Sequence, residues 1–311
     1  MPMIEHVAVI GAGTMGRQIS LQTARSGLPV MLYDLNPNML EQARQAHQDI
    51  VDEWTNKGNI AVNAAAAVFE RLQYDTSLSR AADNVDLAIE VVPERIDLKR
   101  AVFAQLDQHC PHHAIIATNS SSIRVSLLED STKRPEQVAN LHFYIPVWDH
   151  PMVEIGGGSR TRAETLDALT VFARRIGMLP LRVQKESTGF IFNRVWRAIK
   201  KETLTVVDQG IASHEDVDRA WMIMFGGEKG PFGLMDEIGL DVVKDIEEHY
   251  ARESGDLSDL PPPILTERVE RGDLGRKTGQ GFYTYPSPAY AAPDFLKPGS
   301  SLSNGAEDQA E

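Results

Sequence analysis

Residues 7–34 read VAVIGAGTMGRQISLQTARSGLPVMLYD, and the fold follows from this stretch. A short β-branched run at 7–10 feeds the glycine turn Gly11-Ala12-Gly13-Thr14-Met15-Gly16. A helical stretch over 14–26 follows, and a second apolar run at 30–33 closes on Asp34. Strand, glycine turn, helix, strand and acid in this order make a dinucleotide-binding unit. Gly11 permits the tight turn, Gly13 lets the backbone approach a pyrophosphate, and Gly16 lets helix and strand pack closely. The N–H groups at Thr14 and Met15, with the positive end of the helix dipole, are aimed at phosphates. Asp34 accepts hydrogen bonds from ribose hydroxyls and repels a 2′-phosphate, which favours NAD over NADP.

Working outward, the chain has 311 residues, 42% hydrophobic and 24% charged, enough for two domains of ordinary globular composition. A net charge of −13 argues against nucleic acid and anionic membrane as partners. Cys110 is the single cysteine, so no intrachain disulfide forms, which fits a reducing compartment. No apolar run reaches the ~20 residues that span a bilayer. The first strand begins near His6, which reads as leaving no room for a signal peptide, so the cytoplasm is the expected location.

The turn at Asn36-Pro37-Asn38 opens a helix to about Trp54, and 61–72 reads as its antiparallel partner, a helical insertion near 38–73. Further strands are expected at 87–92, 113–118, 138–143, 152–155 and 179–183, with helices from Glu94 through Leu106 and over 162–176. From Gly189 onward only helical periodicity remains, over 190–207, 215–225, 234–250 and 264–271. The expected fold is therefore an α/β Rossmann-like domain, 1–187, with a doubly wound, mostly parallel sheet, followed by an all-α domain, 188–285. Residues 286–311, rich in Pro, Ser, Ala and acids, read as a poorly ordered tail.

A nicotinamide cofactor implies hydride transfer, and an alcohol substrate needs a base for its hydroxyl proton. Of nine histidines, His142 alone stands at the carboxyl end of an expected α/β strand, followed by a strand carrying Glu154. A glutamate on one imidazole nitrogen fixes the tautomer and supports the imidazolium. Ser121, in the polar turn Asn119-Ser120-Ser121-Ser122, is placed to donate to a substrate oxygen, and Asn119 opens that turn where α/β folds bind ligands. A half-buried histidine at a strand end is the alternative reading of His142. No His, Cys, Asp and Glu spacing suggests a metal site.

The chain also carries GAGTMG, EVVPERIDLK, ATNSSSI, LHFYIPVWDHPMVEI, TGFIFNR, GPFGLMDEIGLD and GRKTGQGFYTY, in this order. Together they resemble the 3-hydroxyacyl-CoA dehydrogenase family over nearly all of 4–285. The resemblance implies His142 as catalytic base, Glu154 as its support, and Ser121 and Asn193 on the substrate oxygen. It places Glu94 and Lys99 near the nicotinamide and ribose. It further implies an (S)-3-hydroxyacyl-CoA substrate and a homodimer formed through the helical domain, which closes over the cleft. The chain departs from the family at several positions. Where relatives read His-Phe-Phe-Asn-Pro, this chain has His142-Phe143-Tyr144-Ile145-Pro146, so Ile145 replaces an asparagine. Thr188 replaces a proline, and Trp148-Asp149-His150 replaces a largely aliphatic segment. Tyr144 and Trp148 beside Asp149 suggest a cationic substrate held by cation–π contact, as in a free 3-hydroxy acid of the carnitine kind. Sugar-acid dehydrogenases are also relatives. A protein that binds NAD(H) without turnover is the remaining alternative, and an intact Ser121, His142, Glu154 and Asn193 set argues against it.

Overall fold

Short runs of β-branched and aliphatic residues with both faces covered make parallel strands. The computed structural model describes residues 3–298. Eight strands, β1 (Val7–Ile10), β2 (Val30–Tyr33), β3 (Leu72–Asp75), β4 (Leu87–Glu90), β5 (Ile115–Thr118), β6 (Val138–Phe143), β7 (Met152–Gly157) and β8 (Leu179–Val183), form one sheet. Their order is β3-β2-β1-β4-β5-β6-β7-β8, parallel throughout except between β6 and β7. The order reverses between β1 and β4, and ligands bind at the carboxyl ends of strands beside such a switch.

Alternation along the strands divides the apolar residues between two cores. Val7, Val9, Ile115, Ala117, Leu141, Val153 and Ile155 belong to one, and Ala8, Ile10, Ile116 and Val138 to the other. Each fully buried Val or Ile contributes roughly 1.5–3 kcal/mol. His142 and Asn140 lie on the Val138 side of β6, and Glu154 lies opposite His142 in the antiparallel register. The helices of this unit are α1 (Thr14–Arg25), α2 (Pro37–Asn56), α3 (Val62–Arg71), α4 (Leu78–Ala82), α5 (Ile96–His109) and α6 (Ala163–Arg175).

β3 and α4 are additions to the sequence expectation, which ran α3 straight on to the strand at 87. Only Leu72 of the β3 residues is buried, so no hydrophobic run announces the strand. Pairing with β2, Val30 against Leu72, creates it.

By packing, the chain divides between Ile191 and Phe192 into two units. The reason is local: Phe190 packs on His142, and the Ile191 N–H donates to Glu154, so both stay with the first unit. The second unit is helical: α7 (Phe192–Asp208), α8 (His214–Phe225), α9 (Pro231–Ile238), α10 (Leu240–Ser254) and α11 (Pro263–Arg271). One helix was expected over 234–250; Gly239, at φ +100°, breaks it in two.

Residues 286–298 are not the unordered tail that their composition suggests. Tyr290 and Phe295 are buried in the core of the second unit, Tyr290 edge-on to Tyr283 at 4.9 Å. Arg219 stacks on the Phe295 ring at 4.4 Å and donates to its carbonyl. Two aromatic anchors outweigh a polar average over the segment. Residues 299–311, the rest of the expected tail, lie outside the described residues.

Candidate active site

The glycine turn leaves β1 for α1 at the switch point. Gly11 holds φ +119°, and a Cβ at Gly16 would stand 1.8 Å from the Gly11 carbonyl oxygen, so no larger residue fits there. A Cβ at Gly13 would meet nothing within 4 Å, which leaves the backbone of the turn open to a ligand. No side chain caps the N-terminus of α1, where Thr14 and Met15 begin the helix. Asp34, just past β2, accepts the Ala12 N–H at 2.8 Å and the Asn36 N–H at 2.9 Å, tying the acid to the turn. An open turn, an uncapped helix end and an adjacent carboxylate together fit a dinucleotide.

On the far side of the switch, Lys99 of α5 is fully buried. Its ammonium donates to Glu90 at 2.7 Å and to the Val92 carbonyl at 3.1 Å, and it pairs with Glu94 at 3.2 Å. Three contacts match its three donors, so Lys99 braces Glu94. Glu94 also accepts from the hydroxyls of Ser120 and Ser122. Burial raises the Glu94 pKa, but Lys99 and the two serines outweigh it and hold the carboxyl below its ordinary value. Asn119 fixes the turn after β5 by accepting the Phe143 N–H at 2.8 Å. With its neighbours committed to Glu94, the Ser121 hydroxyl makes no hydrogen bond among the described residues.

His142 and Glu154 meet because β6 and β7 run antiparallel with these residues in register. His142 is 5% exposed, Glu154 is fully buried, and Nδ1 lies 2.9 Å from Oε2. A carboxylate only accepts, so Nδ1 carries the proton and Nε2 is left with its lone pair. Glu154 is held in turn by the Ile191 N–H at 2.8 Å on Oε1. The imidazole lies against the rings of Tyr144 and Phe190, at 4.5 and 5.7 Å between centroids. A buried, oriented imidazole on a carboxylate can accept a proton from a ligand hydroxyl.

Three contributors escaped the sequence reading: the Tyr144 hydroxyl, the Ile191 N–H and the Phe190 ring. Tyr144 donates to Glu154 Oε2 at 2.7 Å, so its phenol faces the dyad. Trp148 stands edge-on to Trp54 at 5.0 Å, and the Trp54 face is covered by Arg25 at 4.3 Å. The pair expected to hold a cation is thus engaged elsewhere, and the cage is not assembled. Ile145 is half exposed at the rim of the loop.

Asn193 stands second on α7 and belongs to the second unit. In that unit the two C-terminal motifs are built around buried aspartates. Asp218 accepts the Phe232 and Gly233 N–H groups at the start of α9 and the Tyr283 hydroxyl at 2.9 Å. Asp236 accepts the Phe282 and Tyr283 N–H groups. Burial pushes the Asp218 carboxyl up to about 6. These segments are internal fastenings, which composition alone does not reveal. No helix among the described residues is long and apolar enough to cross a membrane.

Comparison with known proteins gives the chain's relatives. Residues 6–187 match the NAD binding domain of 3-hydroxyacyl-CoA dehydrogenase, and 189–285 match its C-terminal domain. A probable 3-hydroxybutyryl-CoA dehydrogenase of Bacillus subtilis is 32% identical over 282 residues, covering 91% of this chain and 98% of that protein. A 5-formyl-3-hydroxy-2-methylpyridine 4-carboxylate 5-dehydrogenase of Mesorhizobium japonicum is 32% identical over 286 residues, covering 91% of each. The crystal structure of (S)-3-hydroxybutyryl-CoA dehydrogenase from Ralstonia eutropha superposes with a TM-score of 0.86 at 31% identity, over 91% of this chain and 100% of that one.

Proposed function

The chain belongs to the 3-hydroxyacyl-CoA dehydrogenase family, an NAD-dependent oxidoreductase family, and we propose that it interconverts an (S)-3-hydroxyacyl-CoA and its 3-oxo form with His142 as base. The observation that carries this reading is the buried His142–Glu154 pair at 2.9 Å. NAD, when bound, supplies the hydride acceptor at the carboxyl ends of the strands. Everything else falls to the protein. Gly13, Thr14 and Met15 receive the pyrophosphate, and Asp34 the ribose hydroxyls. Lys99 holds Glu94 facing the nicotinamide end. His142 Nε2 takes the 3-hydroxyl proton as the C3–H bond yields its electron pair, leaving a C3 carbonyl and an imidazolium. Glu154 beside it stabilises that imidazolium and prevents the other tautomer. In reduction the same proton returns from Nε2 to the oxygen. Ser121 is assigned to the substrate oxygen, and Asn193 carries the role that the family motif implies.

The expected assembly is a homodimer. Ile223, Met224 and Phe225, which end α8, are 64%, 77% and 70% exposed, an apolar group that a second copy would cover. A second reading of the substrate, a free 3-hydroxy acid, is favoured by two observations. Ile145 stands where relatives have asparagine, and one relative is named for a pyridine carboxylate.

His142→Ala tests the reading. NADH formation is expected to fall by about 10²–10⁴ or more, with NADH affinity retained. Unchanged turnover refutes the assignment, and loss of NADH binding would point to a structural role.

A further inference from the structure

We propose that Tyr144 is a positioning residue, whose phenol shares one oxygen of Glu154 with His142 and so holds down the basicity of that histidine. The inference rests on the reading of His142 as the base. Tyr144 Oη lies 2.7 Å from Glu154 Oε2, and His142 Nδ1 lies 2.9 Å from the same atom. Glu154 is fully buried, fixed opposite His142 by the β6–β7 register, and tied by its other oxygen to the Ile191 N–H. It cannot turn to serve the two donors separately. The Tyr144 ring stands edge-on to the imidazole at 60°, so phenol and imidazole approach the carboxylate from fixed directions. The family segment quoted above has phenylalanine here, so the hydroxyl is a departure of this chain.

The chemistry follows from the acceptor. An oxygen that already holds a phenol O–H offers less electron density to a second donor. The imidazolium formed when Nε2 takes the substrate proton therefore gains less from Glu154 than it would from an oxygen it held alone. Among the described residues of the first unit, His142 meets the Glu154 carboxylate from β7, the Tyr144 phenol from the loop leaving β6, and the apolar Phe190 ring. Only the first two are ionisable, and they share a hydrogen bond.

Tyr144→Phe keeps the ring and removes the hydroxyl. In the full chain with isotope-labelled histidine, the His142 resonance, assigned by its loss in His142→Gln, is titrated by NMR. The midpoint is expected to rise by about half a unit or more. The acid limb of kcat/KM for (S)-3-hydroxybutyryl-CoA with NAD should move with it, with the Kd for NADH unchanged. Fluorinated tyrosine at 144, a stronger donor, should move the midpoint the other way. A midpoint that ignores both changes overturns the proposal. Shifted midpoints in a protein whose wild type lacks turnover would support the tuning and refute the dehydrogenase reading. Turnover with fixed midpoints would do the reverse.

Discussion

At the residue scale, Glu154 and Lys99 show how much depends on one buried charge. In Glu154→Gln the amide can present N–H to Nδ1, which drives the proton to Nε2 and removes the acceptor. A loss in kcat of about 10³–10⁴ is expected, with NADH affinity little changed. Steady-state rates beside a fluorescence titration of NADH check this. Lys99→Met leaves Glu90, fully buried, without its cation. Urea unfolding should show a loss of about 3–5 kcal/mol, much of it recovered in the double variant Glu90→Gln/Lys99→Met. The positions of His142, Glu154, Gly11, Gly16 and Asp34 could be read because each is bound to a strand end or turn that the hydrophobic pattern exposes. Tyr144 could not be read as a partner of Glu154. Its contact depends on where the chain turns after β6, and a tyrosine in a loop has no periodicity to mark it. Lys99 is buried between two glutamates, a burial that its charge concealed.

At the scale of elements, α2 and β3 are joined to α1 by His47. Neutral imidazole satisfies both neighbours, Nε2–H donating to the Arg17 carbonyl at 2.8 Å and Nδ1 accepting from the Tyr74 hydroxyl at 2.7 Å. Burial lowers its pKa from 6.5 to about 4. The folded value thus lies below the unfolded one. Above pH 6.5 the contribution is fully present, and between 6.5 and 4 only the unfolded chain takes the proton, so stability falls with pH. Between about pH 7.5 and pH 5 the first unit should lose about 2 kcal/mol by this route. His47→Gln should flatten that difference in urea unfolding, and an unchanged slope would locate the pH dependence elsewhere. Strands with continuous apolar runs were legible to within a few residues. β3 was not, because pairing and a tyrosine–histidine contact make it, and neither leaves a pattern in four residues. The break at Gly239 was equally hidden, since an amphipathic period continues across it.

At the scale of the whole molecule, the apolar end of α8 bears on assembly. Sedimentation should give twice the chain mass of 34.4 kDa, and Met224→Glu with Phe225→Glu should give the single chain. A wild type that stays monomeric at micromolar concentration would remove the homodimer. The order of strands, then helices, was plain from the loss of alternation after Gly189, because sheet and helix periods differ. Phe190 and Ile191, just past that change, are held to the first unit by His142 and Glu154. The central claim concerns chemistry on a thioester, and initial rates of NADH oxidation test it most directly. Acetoacetyl-CoA is compared with acetoacetate and dehydrocarnitine at equal concentration. Preference for the thioester by orders of magnitude, lost in His142→Ala, is the expected result. Turnover with a free 3-oxo acid alone would contradict it and make the loop from Tyr144 to His150 the determinant of a different substrate.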